Sequence, residues 1–265
     1  MSIITKSRTI KINGKKSTIV GYKSDSYFSR MKRSRKENDF LTYIVRNTIS
    51  HNSCVLDVGA NIGVTSVLFA GAATSGQIHS FEPSPTAFPL LQATIRANHL
   101  TNVTPHQLAC GAQKGQLTFF DNPDSASASH LAVADRALGR SNTTVDVTTL
   151  DDFVQEHAIE RLDLVKIDVE GLELDVLTGA SDVLSQLKPG VFLEFNSFTL
   201  IAYGNQNPRF VLETLLERFP HVYRFENGKP CEIRGEDSVL TFIHDNLLKR
   251  RSVDDLYCCH LELLP

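Results

Sequence analysis

Three carboxylates stand directly at the ends of apolar runs: Asp57 in VLDVGANIG, Asp168 in LDLVKIDVEG and Glu194 in VFLEFN. A buried strand that ends in an acid presents it at the rim of a sheet, where it can take a proton, orient a hydroxyl or meet a cation. A further acid, Glu82 in HSFEPSP, also closes an apolar segment and lies 19 residues beyond Gly63. An acid that meets a ribose hydroxyl sits at roughly 20-residue spacing from the glycine turn. Asp57 leads such a turn, with Gly59, Ala60, Asn61 and Gly63. Behind it VTSVLFAGAAT places Val64, Val67, Leu68 and Gly71 or Ala72 at helical spacing. Strand, glycine turn and helix together offer bare backbone and unpaired helix N–H groups to a nucleotide. Asp57, Gly59, Ala60, Asn61, Gly63 and Glu82 are the candidate binding set for an adenosine-containing ligand.

The glycine spacing separates the ligands. A dinucleotide fingerprint reads G-x-G-x-x-G, whereas this turn reads D-x-G-x-N-x-G. A carboxylate before the loop repels a pyrophosphate and favours an ammonium group. S-adenosylmethionine carries an ammonium and a sulfonium and no phosphate, so the pattern favours a methyl donor over NAD. An NAD-dependent oxidoreductase or epimerase is the alternative, disfavoured by Asp57 and Asn61. A non-catalytic binding module on a retained cofactor fold is a third reading, and the joint presence of Asp57, Gly59, Gly63, Glu82 and Asp168 argues against it. A metal held by Asp168, Glu170 and Glu194 lacks any histidine–carboxylate spacing, and no metal is expected.

Several stretches resemble, in this order, the FkbM-type family of S-adenosylmethionine-dependent methyltransferases: VLDVGANIG, FEPSP with TAFPLLQATIRANHL, HQLACGAQKGQLTFF, LDLVKIDVEGLELDVLTGA and VFLEFN. The similarity runs from about Glu37 to Asn196, and KIDVEG is its most distinctive part after the glycine turn. The resemblance implies a Rossmann-like class I methyltransferase: an α/β fold whose mostly parallel seven-stranded sheet carries helices on both faces. It implies O-methylation of a hydroxyl on a sugar, polysaccharide or natural product, so the partner is a small-molecule or glycan acceptor. A serine-rich stretch between Asp121 and Asn142 is implied to lie near cofactor and substrate, and its His130 is a candidate proton acceptor. A lone histidine in a loop is more often a solvated side chain. Asp168 is the preferred active-site carboxylate, near the reactive methyl or binding the methionine ammonium of the cofactor; Glu194 is either a ligand of the substrate hydroxyl or a paired structural acid. Glu170 and Glu37 are each also readable as first-turn helix acids opposing the dipole.

The elements that must position these groups follow from the apolar pattern. The chain has 265 residues, 42% hydrophobic and 22% charged, with a net charge of −3. That suits one large α/β domain over 37–265 behind an N-terminal extension, 1–36. Near-neutral charge gives no general attraction to nucleic acid. No run is long and apolar enough for a membrane span, no secretory signal opens the chain, and five scattered cysteines without CxxC predict reduced thiols and a cytoplasmic location. In the extension, TIKINGKKSTIVGY predicts a hairpin about Asn13-Gly14, and the basic run Arg30 to Lys36 reads as a solvated loop in preference to a contact for a phosphate or carboxylate on a substrate or carrier. ENDFLTYIVRNTI predicts a helix and NVTPHQLAC a third strand, delivering backbone near Ala109 to the adenine edge. GQLTFF and TTVDVTTL predict antiparallel additions, with a loop from Asp121 to Asn142 between them. NSFTLIAYGNQN predicts a loop lining the substrate pocket, Asn207-Pro208 a helix start, HVYRFENGKPCEI a hairpin, and DLYCCHLELL a closing strand.

Overall fold

The computed structural model describes residues 5–25, 28–29, 31, 39–121, 130–131 and 141–263. Two strands, β1 (Thr5–Ile12) and β2 (Lys15–Tyr22), pair antiparallel about Asn13-Gly14. Of the basic run only Met31 is among the described residues, and Glu37 lies outside them. Helix α1 (Phe40–Thr48) starts where the Asp39 carboxylate accepts from the Thr42 N–H. Then come β3 (Cys54–Val58), α2 (Val64–Ala72), β4 (Gln77–Phe81), α3 (Phe88–Ala97) and β5 (Val103–His106).

At His106 the chain leaves this sheet, and β6 (Ala109–Cys110) joins a second one with β7 (Gly115–Asp121), β8 (His130–Leu131) and β9 (Ser141–Thr148). The expected single strand through Ala109 is thus two strands in two sheets. Pro105 has no N–H and sits in the edge strand β5, where none is required. The expected loop between Asp121 and Asn142 is also corrected in part. Asp121 pairs with Ser141 and Phe120 with His130, so its ends and its middle are strand; residues 122–129 and 132–140 lie outside the described set.

The second half supplies α4 (Leu150–Glu156), β10 (Leu164–Ile167), α5 (Glu173–Thr178), α6 (Ser181–Gln186), β11 (Gly190–Asn196), α7 (Ser197–Ala202) and α8 (Pro208–Arg218). It ends with β12 (His221–Glu226), β13 (Lys229–Glu232), α9 (Gly235–Leu248) and β14 (Val253–Cys259). The segment expected as a pocket loop is helical over α7, because Asn196 Oδ1 accepts from the Phe198 and Thr199 N–H groups and starts a turn there.

The main sheet runs β13-β12-β14-β11-β10-β3-β4-β5. Its five strands from β11 to β5 are parallel, and β14 inserts antiparallel beside β11. Among the described residues this sheet has eight strands rather than seven; the additional one is β13, the return of the Asn227-Gly228 hairpin. Alternation along the strands divides the core by face. Leu56 and Val58 pack with α4, α5, α8 and α9, while Val55 packs with α1, α2 and α3. Ile10, Ile12 and Ile19 of the hairpin belong to the second group, and the hairpin is pinned to α3: Thr18 N–H donates to Asn98 Oδ1 at 2.8 Å and Val20 N–H to Thr94 Oγ1 at 3.0 Å. No helix among the described residues is long and apolar enough to cross a membrane.

Candidate active site

The parallel strands β3, β4, β10 and β11 all end at one rim, and register fixes what arrives there. Asp57 lies opposite Lys166 and Ser80, and Val58 opposite Ile167 and Phe81. Asp168 follows Ile167, Glu82 follows Phe81, and Glu194 is near the end of β11. This carboxyl-end crevice is where open α/β sheets bind ligands.

The turn from Gly59 to Gly63 is built around left-handed backbone. Gly59 has φ +75°, Asn61 φ +51° and Gly63 φ +91°. At Gly59 the requirement is also one of space, since a Cβ there would lie 1.9 Å from the Asp168 carbonyl oxygen. Gly59 and Ala60 both donate their N–H to the Phe81 carbonyl, at 3.0 and 2.9 Å. The Asn61 N–H donates to Glu82 Oε2 at 2.8 Å, and the Ser84 N–H to Glu82 Oε1 at 2.9 Å. Glu82 is only 6% exposed, so two backbone donors fix the direction of a carboxylate at the crevice rim. Helix α2 follows Gly63 with no side-chain cap on its N-terminus.

Asp57 has a different place from the one its charge suggested. Its carboxylate is fully enclosed, accepting from Thr65 Oγ1 at 2.8 Å and Ser66 Oγ at 2.7 Å, with Lys166 Nζ 3.6 Å away. It ties the end of β3 to the first turn of α2 and does not offer a bare negative charge to a ligand. The acids that do charge the crevice are further along. Carboxylate oxygens of Asp168, Glu170 and Glu194 all fall within 4.8 Å of one another. These are the three acids whose sequence spacing gave no metal signature; the fold converges them all the same. Glu170 does not open a helix, since α5 starts at Glu173; Glu170 sits in the preceding turn at φ +56°.

Burial, then the charges of Asp168 and Glu173, pushes Glu170 up to about 8. Glu194 is likewise held well above the usual carboxylate range, by burial first and then by Asp168, Glu170, Asp255 and Glu173. Glu173 is pushed to about 7 by burial, offset in part by the Gly171 N–H, which donates to its Oε1 at 3.1 Å. Asp168 is 38% exposed at the mouth, with Lys166 Nζ 3.5 Å from its carboxylate.

Lys166, Glu173, Thr65 and Ser66 were missed in the sequence. The signal for Lys166 was available: a lysine inside an otherwise apolar strand must find acids. Ala109 is buried in β6, paired with Val147. His130 is backbone-paired with Phe120 on β8.

The donor set fits S-adenosylmethionine. Glu82 offers a held carboxylate to a diol, the glycine turn offers backbone, and partly protonated acids offer charge that a cation would draw out. Comparison with known proteins agrees. Residues 57–225 match the Methyltransferase FkbM domain. Methyltransferase 1 of Beauveria bassiana is 28% identical over 160 residues, covering 54% of this chain and 64% of that protein. Hexuronic acid methyltransferase AglP of Haloferax volcanii is 26% identical over 159 residues, 60% of this chain and 62% of that one. The 2-O-methyltransferase NoeI of Sinorhizobium fredii is 26% identical over 189 residues, 66% and 75% of the two chains. The chain thus spans slightly less than two thirds of the first two relatives.

Proposed function

The chain belongs to the FkbM methyltransferase family, and we propose that it transfers a methyl group from S-adenosylmethionine to a hydroxyl of a sugar or natural-product acceptor. The observation that carries this reading is the Asn61–Glu82 hydrogen bond, which locks the glycine turn to a buried carboxylate at the mouth of the parallel sheet. Glu82 takes the ribose hydroxyls, the backbone of Gly59, Ala60, Asn61 and Gly63 lines the donor, and Ala109 flanks the adenine. Asp57 serves by holding β3 and α2 together under that turn. When bound, the cofactor supplies an activated methyl group on a sulfonium.

The residues then have to align an acceptor hydroxyl, exclude water and accept one proton. Asp168, exposed at the mouth, orients the hydroxyl. Glu194 takes its proton, because a carboxylate held well above its ordinary range by burial and neighbouring acids is a better base than an ordinary one. His130 is the other proton acceptor consistent with the sequence. Names among the relatives, a hexuronic acid methyltransferase and a 2-O-methyltransferase, support a carbohydrate hydroxyl as acceptor. Free thiols at Cys54, Cys110, Cys231, Cys258 and Cys259 support a reducing, cytoplasmic setting.

The test is transfer of radiolabelled methyl from S-adenosylmethionine to a panel of uronic acids, methyl hexosides and macrolide alcohols. An ether is stable to mild base and a methyl ester is not. Base-stable label on the acceptor is expected; base-labile or nitrogen-bound label would overturn methylation of a hydroxyl.

A further inference from the structure

Lys166 is the one described cation inside the acid-lined crevice, and it is 5% exposed. Its Nζ donates to the Gly59 carbonyl at 2.8 Å and the Val58 carbonyl at 3.2 Å, and it faces Asp57 at 3.6 Å and Asp168 at 3.5 Å. One ammonium therefore touches the strand end that feeds the glycine turn, the first carbonyl of that turn, the acid beneath it and the acid at the mouth. The two carbonyls close β3 and open the turn whose Gly59 and Ala60 N–H groups donate to the Phe81 carbonyl, so the ammonium does more than neutralise Asp57.

We propose that Lys166 is a positioning residue for the methyl donor: it clamps the Gly59 turn to Asp168, so that the surface receiving the donor and the carboxylate facing the acceptor move as one unit. Burial opposes the lysine's charge, but Asp168, Asp57 and Glu194 outweigh it and keep the ammonium protonated. Three mobile donors on a compact head suit this task, since they can serve two carbonyls and a carboxylate diverging from one point. The proposal rests on the cofactor reading above and adds to it a residue that touches neither donor nor acceptor.

Lys166→Met alone strips a buried acid of its cation and endangers the fold, so the comparison belongs in an Asp57→Asn background. There the buried pair becomes neutral on both sides, a replacement that proteins often tolerate. Calorimetry with S-adenosylhomocysteine would compare wild type, Asp57→Asn and Asp57→Asn/Lys166→Met, with hydrogen exchange of the peptide spanning 55–63 measured on each. The double variant is expected to bind at least about ten-fold more weakly than Asp57→Asn, the scale of losing a charged hydrogen bond. Its 55–63 amides should exchange faster while the rest of the sheet keeps its protection. Equal affinities within two-fold, or an affinity loss accompanied by faster exchange across the whole sheet, would reduce Lys166 to a counter-ion and overturn the proposal. Lys166→Arg provides the check if the double variant does not fold: it keeps the charge with a planar head, so wild-type affinity there would also overturn a clamp that depends on ammonium geometry. Wild-type protein that binds no S-adenosylhomocysteine would sink the cofactor reading itself, an outcome distinct from either.

Discussion

Gly59 and Asp168 meet backbone to backbone: a Cβ placed on Gly59 would stand 1.9 Å from the Asp168 carbonyl oxygen. The glycine turn after β3 and the acidic end of β10 are therefore packed without a side chain between them. Gly59→Ala must push one away from the other, and φ of +75° adds strain of its own. Gly14 is the control, with φ +77° and nothing within 4 Å of its added Cβ. Gly14→Ala should cost about 1 kcal/mol, and Gly59→Ala about 2–4 kcal/mol once overpacking is included. Urea unfolding of the two variants checks this; equal costs would show that the close approach is easily relaxed.

Glu82 is held by the Asn61 and Ser84 amides, at 2.8 and 2.9 Å. Glu82→Ala should weaken binding of S-adenosylhomocysteine by about 1.5–3 kcal/mol, the range for hydrogen bonds to a charged group. Titration calorimetry on the folded variant is the measurement. An unchanged dissociation constant would remove Glu82 from the donor site.

How far the sequence reached depends on what each residue needed. The glycine turn, the carboxylate-tipped strands and the Asn227-Gly228 hairpin were legible because local chemistry specifies them. The path after Pro105 was not, since pairing of Ala109 with Val147 joins segments far apart in the chain. Nor was α7, where aromatic and amide residues read as loop until the Asn196 cap is seen. Asp57 was recognised as an acid before the turn, but its burial against Thr65, Ser66 and Lys166 is a property of three elements meeting. The convergence of Asp168, Glu170 and Glu194 arises the same way, from register between β10 and β11 and the turn after β10.

Stability should fall on both sides of neutrality for opposite reasons. Glu170 and Glu173 are raised to about 8 and about 7, chiefly by burial. The folded state binds these protons more tightly than the unfolded chain does, so the associated stability is full below about 4.5 and lost as pH rises through 7 to 8. His79 and His106 are lowered to about 4, by burial first and then by neighbouring histidines. Their contribution is full above about 6.5 and lost as pH falls toward 4. Thermal melts from pH 4 to 9 should show both limbs. Glu170→Gln should flatten the alkaline limb and leave the acid limb; a parallel shift of the whole curve would contradict the assignment.

Asp168→Asn and Glu194→Gln separate orientation from proton removal. Glu194→Gln should lower the single-turnover rate by about 10²-fold or more at saturating donor, the usual scale for a positioned base, with donor affinity retained. Asp168→Asn should raise the KM for the acceptor as well as lowering the rate. A wild-type rate in Glu194→Gln would move the proton to Asp168 or His130.

The central claim, that the crevice beside Glu82 and Asp168 takes a methyl donor, is tested most directly by calorimetry of the wild-type chain against S-adenosylmethionine, S-adenosylhomocysteine and NAD in parallel. Saturable one-to-one binding of both sulfur ligands, abolished or weakened in Glu82→Ala, with no heat from NAD, is the result predicted. Binding of NAD in place of the sulfur ligands, or of none of the three, would contradict it.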